Sequence, residues 1–268
     1  MGNPLDNNDS SLSARGGACV SPENPLILKL EKFVRLSPDD KLALHELVHQ
    51  KLHRVSGRTD IVREGDRPET LKIVLSGWAC RYKMLEDGRR QILSFFLPGD
   101  LCDLNVFILR EMDHTLSALT AVSYAEITRD MLEHVTSNYP RITQALWWDT
   151  LVAMAVQREW TLNVGQRTAL ERMAHLLCEL FIRLQVVGQV RGDRCEFPLL
   201  QSDLADATGL STVHVNRTLQ ELRAQNLIIL RGKELAIPDL ETLKEAALFN
   251  INYLHLERDG RELDANVV

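Results

Sequence analysis

The stretch Gln201–Leu219, QSDLADATGLSTVHVNRTL, has the pattern of two short helices that cross near a right angle. Ala205 is small at the point where the second helix crosses the first, and Gly209 lies in the tight turn, where a left-handed backbone favours glycine. Ser211 is a good N-cap for the second helix. The apolar seam between the helices comes from four positions: Leu204, Leu210, Val215 and Leu219. The spacing predicts a helix-turn-helix.

The second helix also has an outward face that the seam does not use. It consists of Thr212, Val213, His214, Asn216 and Arg217. These side chains can donate hydrogen bonds and touch methyl groups, as reading the major groove requires. We therefore predict that this face, with Ser211 at its start, contacts double-stranded DNA and that Arg217 is the main base reader.

A hairpin follows the second helix over Asn226–Ile237 and turns at Gly232-Lys233. Arg231 and Lys233 lie near its tip, where cationic side chains meet phosphate. The hairpin is therefore predicted to be the wing of a winged helix-turn-helix. The alternative is a helical protein-interaction module that does not bind DNA.

Charge limits how such a unit could bind nucleic acid. The chain of 268 residues has a net charge of −6, and residues 164–240 carry nine cationic and nine acidic side chains. No bulk positive field exists, so DNA binding has to rest on a few placed cations. Hydrophobic residues make up 45% and charged residues 25%, which is typical of a globular protein.

Residues 59–130 have a different pattern, in which strand-length apolar runs alternate with turns. The runs are Leu71–Leu75, Trp78–Leu85, Gln91–Leu97 and Leu116–Ile127. Asp87-Gly88 between two of them is a strong hairpin signal, because that turn needs positive φ. Turns every ten to twelve residues or so predict an antiparallel sandwich or barrel.

Arg141–Asn163 contains neither Gly nor Pro and is predicted to be one long helix with two apolar stripes. A helix that is apolar on two faces needs two partners, for which the predicted barrel and a second copy of the same helix are suitable. The predicted dimer seam consists of Leu146, Ala153, Val156 and Trp160, with Trp147 against the barrel. The alternative is a helix buried in one large core.

An antiparallel roll, a long helix and a winged helix-turn-helix, in this order, resemble the Crp/Fnr transcription regulators. The resemblance runs from about Asn24 to Pro238 and is most specific over Leu204–Leu227. The roll carries looser anchors: Arg63-Glu64-Gly65-Asp66, Leu75-Ser76-Gly77, Asp87-Gly88 and Pro98-Gly99-Asp100. The resemblance implies an α+β fold, a homodimer and a palindromic DNA target. The expected division is a disordered arm (1–24), a cyclic-nucleotide-binding-like, jelly-roll-like β-roll sensor (25–139), a dimerisation helix (140–163), a winged helix-turn-helix (164–240) and an acidic C-terminal extension (241–268).

In the members of this family that bind cyclic AMP, a Glu after the Gly-Asp turn binds the ribose and an Arg pairs with the cyclic phosphate. Met112 or its neighbour stands at the arginine position here, and Asp113 would repel a phosphate. Cyclic AMP is therefore not expected. The residues expected to line an effector pocket are Cys102, Asp103, Arg110 and His114, of which Arg110 and His114 could replace the missing arginine.

Cofactors are not expected either. Iron–sulfur members need a cluster of cysteines near the N-terminus, and only Cys19 lies there. Haem members use a Cys and a His in the roll, whereas Cys102 is followed by Asp103, Leu104 and Asn105. Cys102 fits a small buried hydrophobe, with a redox thiol as the alternative. His45, His49 and His53 recur at i, i+4 and i+8, but no acid or Cys completes the set, so we expect a solvated face and no metal site.

The sequence thus predicts a regulator that binds DNA as a homodimer and is switched by an unidentified signal at the roll. The alternative is a roll that senses a ligand and regulates a protein partner. No enzyme is expected, because G-x-S-x-G, P-loop, H-E-x-x-H and G-x-G-x-x-G motifs are all missing. RNA polymerase is an expected partner if the protein activates transcription. Five scattered cysteines, no secretory signal and no apolar run of about 18 residues predict a cytoplasmic protein without a membrane partner.

Overall fold

The computed structural model describes residues 24–104 and 106–256. Asn24 caps the first helix, because its side chain accepts a hydrogen bond from the Leu26 amide at 3.0 Å. The predicted arm before Asn24, with Cys19, and the part of the predicted C-terminal extension after Leu256 lie outside the described residues.

The elements follow each other in an order that separates a strand-rich part from a helical part. The helices are α1 (Pro25–Leu30), α2 (Pro38–His49), α3 (Arg129–Asn138), α4 (Pro140–Gln166), α5 (Ala169–Val186), α6 (Gln201–Thr208), α7 (Thr212–Ala224) and α8 (Leu240–Ala246). The strands are β1 (Leu52–Val55), β2 (Thr59–Val62), β3 (Leu71–Ser76), β4 (Ala79–Met84), β5 (Arg90–Phe96), β6 (Leu101–Cys102), β7 (Thr115–Ala118), β8 (Val122–Ile127), β9 (Val190–Arg191), β10 (Arg194–Glu196), β11 (Ile229–Arg231) and β12 (Glu234–Ala236). Two 3-10 turns are Val106–Ile108 and Ile251–Leu254.

The predicted roll consists of two antiparallel four-stranded sheets, in the orders β1-β8-β3-β6 and β2-β7-β4-β5. The hairpin at Asp87-Gly88 joins β4 to β5, and Gly88 has φ +85°. The run predicted over Leu116–Ile127 is two strands, because the chain bends at Leu119–Ala121 and β7 and β8 pair in different sheets. Gly77 lies against this bend, and a Cβ there would come within 2.1 Å of the Ala121 carbonyl oxygen.

Helix α4 is longer than predicted. It continues through Val164 and Gly165, where the winged helix-turn-helix unit was expected to begin, and ends at Gln166. The chain turns at Arg167, whose backbone is extended. Arg172 holds this turn by donating hydrogen bonds to the carbonyl oxygens of Asn163 (3.0 Å) and Arg167 (2.9 Å).

The orientation of α4 differs from the prediction: most of the stripe predicted for the dimer seam is buried in the chain, and the stripe predicted to face the roll is exposed. Leu146, Val156 and Trp160, predicted for the dimer seam, are buried inside the chain. Trp160 packs edge-on against Phe95 of β5 at 5.8 Å and donates its indole N–H to a carboxylate on α5, so it cannot also face a partner. The exposed stripe is the second one, with Trp147, Leu151 and Met154, and Ala153 is exposed beside it. The error arose because both stripes are apolar, and periodicity alone does not say which one the roll covers.

The helix-turn-helix forms as predicted. Helices α6 and α7 meet at Gly209, which has φ +67°, and the Ser211 hydroxyl accepts a hydrogen bond from the His214 amide at 3.2 Å. Strands β11 and β12 form the wing hairpin and join β10 and β9 in a third sheet. Helix α5 packs along α7 and α8 and has eleven buried residues.

The helix-turn-helix unit is docked on the roll of its own chain. Phe197, just before α6, packs edge-on against Trp78 at 5.9 Å, and the Gln91 amide of β5 donates to the Ala207 carbonyl at 3.3 Å. Helix α6 therefore lies against β5. None of the helices in the described ranges is long and apolar enough to span a membrane.

Candidate nucleic-acid interface

Helix α7 presents the predicted reading face to solvent. Thr212, Val213, His214 and Arg217 are all exposed, and Val213 has 75% of its surface accessible. The opposite side of the helix is buried through Val215, Thr218, Leu219 and Leu222. An amphipathic helix with a capped N-terminus and a polar outer face has the form that a recognition helix needs.

Asn216 is half-buried at the edge of this face, where its Nδ2 donates to Gln201 Oε1 at 3.4 Å. Gln201 is the first residue of α6 and is exposed. Gln201 was not predicted to be a site residue. Its place at the start of the first helix was the available signal, because that helix crosses the DNA backbone in helix-turn-helix proteins.

The wing places both predicted cations in solvent. Gly232 has φ +59°, which allows the tight turn, and Arg231 and Lys233 on either side of it are exposed. Glu234 beside them is neutralised by Arg194 of β10 at 2.8 Å. The tip of the wing therefore carries free positive charge suited to phosphate.

The helix-turn-helix unit carries equal numbers of positive and negative side chains, but the cations of α7 and the wing lie on a different face from the acids of α6. Within the described residues, no ion pair engages Arg217, Arg231 or Lys233. By contrast, the acids of α6 turn toward the roll, where Asp206 pairs with Arg90 at 2.7 Å and Asp203 is buried against Arg58. The cations of α7 and the wing are thus available to an anionic partner, and the two acids of α6 are held by the roll.

A cavity of about 650 Å³ lies between the β5–β6 turn, α4 and α5. Most of its lining is apolar, and its polar groups come from both the roll and the helices. Asp103, one of the residues expected at an effector pocket, is part of this lining. Cys102 does not line the cavity; it packs into the core between the sheets. Burial, and then the charge of Asp103, raises the pKa of the Cys102 thiol, so the thiol stays protonated.

His114, also expected at the pocket, does not line this cavity and is buried between two carboxylates. Its Nε2 is 2.9 Å from Asp103 Oδ2 and its Nδ1 is 2.6 Å from Asp113 Oδ1. Arg110, also predicted for the pocket, lies outside it: its side chain is 94% exposed and pairs with Glu111 at 3.7 Å. The loop after the 3-10 turn carries Arg110 into solvent, whereas the backbone hydrogen bonds between Met112 and residues 65–66 return the chain to the roll.

Arg81 is a cavity residue that the sequence analysis missed. Its guanidinium pairs with Asp103 and lies over the Phe96 ring, 5.2 Å from the ring centroid. The signal was a lone arginine in the apolar run Trp78–Leu85. On a strand with one buried face, a charge at an inner position usually has a buried partner.

The three histidines do not form the ladder that their spacing predicts. Helix α2 ends at His49, and His53 lies on β1, where it stacks on Tyr124 at 5.3 Å. Among the described residues, no three or more His, Cys, Asp or Glu side chains are grouped so that they could hold a metal ion.

Comparison with known proteins agrees with this architecture. Residues 52–139 match the model of the cyclic nucleotide-binding domain, and residues 171–246 match the model of the Crp-like helix-turn-helix domain. The chain belongs to the Crp/Fnr family of transcriptional regulators. The transcriptional activator protein FnrL of Cereibacter sphaeroides is 27% identical over 80% of this chain and 86% of its own.

Other members of the family are similar over comparable lengths. The nitrogen fixation regulation protein FixK of Bradyrhizobium diazoefficiens is 28% identical over 70% of this chain and 79% of its own. The structure of FixK2 from Bradyrhizobium japonicum superposes with a TM-score of 0.66 at 25% identity, over 73% of this chain and 96% of that one. A Crp/Fnr regulator with this α+β fold is a DNA-binding protein of the helix-turn-helix class, as predicted, and its family is one of transcription regulators and not of enzymes.

Proposed function

We propose that this regulator reads a palindromic operator as a homodimer, with one α7 in each half-site. The observation that carries the proposal is the exposed face of α7, on which Arg217 has no ion-pair partner among the described residues while the acids of α6 are held by the roll. Arg217 can pair in bidentate fashion with O6 and N7 of guanine, and the wing cations can neutralise flanking phosphates.

The exposed stripe of α4 supports the dimer. Trp147, Leu151 and Met154 have 68%, 60% and 54% of their surfaces accessible, which is unusual for large apolar side chains that share one helix face. A second copy of the helix would cover all three. Two-fold symmetry would then place the recognition helices about 34–36 Å apart, one turn of DNA.

The test is selection of bound duplexes from a random pool by the purified full-length protein. We expect a two-fold symmetric motif with half-sites one turn apart, and an affinity that falls steeply with salt because phosphate contacts release counterions. Recovery of no duplex above background would contradict the proposal and would favour a roll that regulates a protein partner. A motif without symmetry would contradict the dimer alone.

The signal at the roll is proposed to be something other than a cyclic nucleotide. Four cations line the cavity: Arg81 is paired with Asp103, Lys29 and Arg183 are both paired with Asp100, and Arg158 is exposed. Met112 is buried where binding members have an arginine. A phosphate buried against one of the three paired cations would have to displace Asp103 or Asp100 and leave that carboxylate without its partner, which is costly. Cyclic AMP and cyclic GMP at millimolar concentration should change neither the melting temperature nor operator affinity. A stabilisation of several degrees that Arg81→Gln abolishes would overturn this.

The relatives named as activators favour activation here too. An activator of this type would bring its dimer into contact with RNA polymerase. Transcription from a promoter that carries the selected motif, measured with purified polymerase, tests this, and a decrease in transcript would indicate a repressor.

A further inference from the structure

A C-terminal strap, residues 247–256, lies beyond the part of the chain that matches the helix-turn-helix model. It leaves α8, passes α5 and reaches α4 through the 3-10 turn Ile251–Leu254. Ala247 and Leu254 are fully or almost fully buried, and Leu254 lines the cavity between the roll and α4. The strap is therefore packed into the protein at the junction of its two parts.

Glu179 of α5 is the polar centre of this junction. It is fully buried and accepts hydrogen bonds from three different elements. The donors are Trp160 Nε1 of α4 at 3.1 Å, Arg183 Nη1 of α5 at 3.1 Å and the Tyr253 hydroxyl of the strap at 2.9 Å. Burial raises the pKa of Glu179 and these donors oppose the rise, so the ionised carboxylate depends on all three.

Arg183 continues the network back to α4. Its Nη2 pairs with Asp100 of the roll at 2.7 Å, Asp100 accepts from Lys29 of α1 at 2.8 Å, and Lys29 pairs with Asp149 of α4 at 2.6 Å. The network thus begins at Trp160 and ends at Asp149, both on α4. It fixes α5 against α4 through the roll. The strap contributes one donor to it, the Tyr253 hydroxyl that binds Glu179.

The angle between α4 and α5 determines where the reading helix points. The connection between the two helices is only Arg167-Thr168. Helix α4 carries the exposed stripe of the proposed dimer, whereas α5 packs on α7, which carries the reading face. Any rotation of α5 on α4 would therefore change the separation of the two reading helices in a dimer.

We propose that the strap is a positioning element for DNA reading, in which Tyr253 acts through Glu179 to hold α5 at one angle on α4. It presents the two reading helices at the one spacing that a palindrome requires. The proposal rests on the proposed function. A single half-site, by contrast, needs only one reading helix and is insensitive to this angle.

The test compares full-length wild type with Tyr253→Phe, which removes only the hydroxyl. The matched control is Tyr82→Phe, which removes a hydrogen bond to Asp60 at 3.2 Å within the roll. Affinity for the selected palindrome should fall about tenfold in Tyr253→Phe while affinity for a single half-site stays within about twofold, because a loose angle lowers the effective concentration of the second reading helix. Tyr82→Phe should change neither affinity.

Trp160→Phe is a second variant, since it removes the donor to Glu179 from the α4 side. It should shift the ratio of palindrome to half-site affinity in the same direction. Equal losses on both duplexes, or an unchanged ratio in both variants, would overturn the proposal and leave the strap a purely structural element. Wild type that binds no duplex would instead contradict the proposed function.

Discussion

Arg58 of the roll and Asp203 of the helix-turn-helix are joined by two parallel hydrogen bonds, Nη1–Oδ1 at 2.6 Å and Nη2–Oδ2 at 2.8 Å. Asp203 is fully buried and also caps α6 by accepting from the Leu200 amide at 2.8 Å. Arg58 adopts φ +64°, which is unfavourable for a side chain of this size. The bidentate pair thus holds a strained turn of the roll against the start of the first helix.

Arg58→Ala is expected to destabilise the protein, because it leaves Asp203 buried with only Arg90 at 3.3 Å as a cationic partner while the strain remains. The expected loss of unfolding free energy is about 2 kcal/mol, allowing for the solvent exposure of Arg58. Arg58→Gly should recover about 1 kcal/mol of it, since glycine adopts this backbone freely. Urea denaturation measures both. Equal stability of the two variants would show that the turn is unstrained, and Arg110→Ala, at an exposed site, should have no effect.

Arg217→Ala should lose base preference at one position in each half-site. A bidentate arginine–guanine pair discriminates by about 1–3 kcal/mol, whereas the wing cations keep nonspecific binding to phosphate. Repeating the duplex selection with the variant measures this. Arg223→Ala is the control, because Arg223 lies at the far end of α7 and donates to the Leu219 carbonyl at 3.0 Å. Recovery of the wild-type motif by Arg217→Ala would contradict the assignment.

Val213 should favour thymine at the position it faces. Many members of the family have a Glu here, which accepts a hydrogen bond from the amino group of cytosine, but Val213 can only touch a methyl group. Val213→Glu should therefore move the selected base from thymine toward cytosine. Because Val213 is exposed, the change should not alter the melting temperature, which separates readout from folding. An unchanged motif would show that Val213 does not reach the bases.

The helix-turn-helix was predictable from the sequence because the features that form it are local. A left-handed glycine, a serine cap and a seam at helical spacing are all fixed by neighbours within Gln201–Leu219, and each has the predicted role. The roll was predictable as a class for the same reason. Its last run was not divided correctly, since the bend at Leu119–Ala121 depends on contacts with Gly77 and Trp78.

The features that were missed or wrongly predicted from the sequence depend on contacts between residues far apart in the chain. Arg81 and Asp103 are 22 positions apart and meet only because β4 lies beside the cavity. Trp160 faces inward because Glu179 of α5 accepts its indole N–H, and no periodicity within α4 shows that. The role of residues 247–256 likewise depends on Tyr253 reaching α5.

Leu151→Glu should convert the dimer to a monomer, because it places a charge at the centre of the exposed apolar stripe of α4. Light scattering at micromolar concentration should give half the wild-type mass, and palindrome affinity should fall at least about a hundredfold with the loss of bivalent binding. Leu42→Glu is the matched control, because Leu42 on α2 is similarly exposed at 57%. A wild type that is itself monomeric, or a Leu151→Glu variant that remains dimeric, would contradict the assignment of the stripe.

His175 of α5 should make stability depend on pH. The ring is fully buried between Phe249 and Tyr253, at 4.8 and 5.8 Å, and burial with the nearby charge of Arg167 lowers its pKa from 6.5 to about 3. Glu159, 3.2 Å from Nε2, does not reverse this, because Arg167 holds it at 2.6 Å.

The folded protein therefore keeps His175 neutral between pH 3 and 6.5, while the unfolded chain binds a proton. Since the unfolded state takes up more protons in this window, the free energy of unfolding should fall as the pH drops below 6.5, by about 1 kcal/mol per pH unit from this residue. His175→Phe should lack that part of the slope, as urea denaturation at pH 7.5, 6.5, 5.5 and 4.5 would show. His134→Phe, at an exposed position on α3, should keep the wild-type slope. Parallel slopes for wild type and His175→Phe would mean that His175 is protonated in the folded protein.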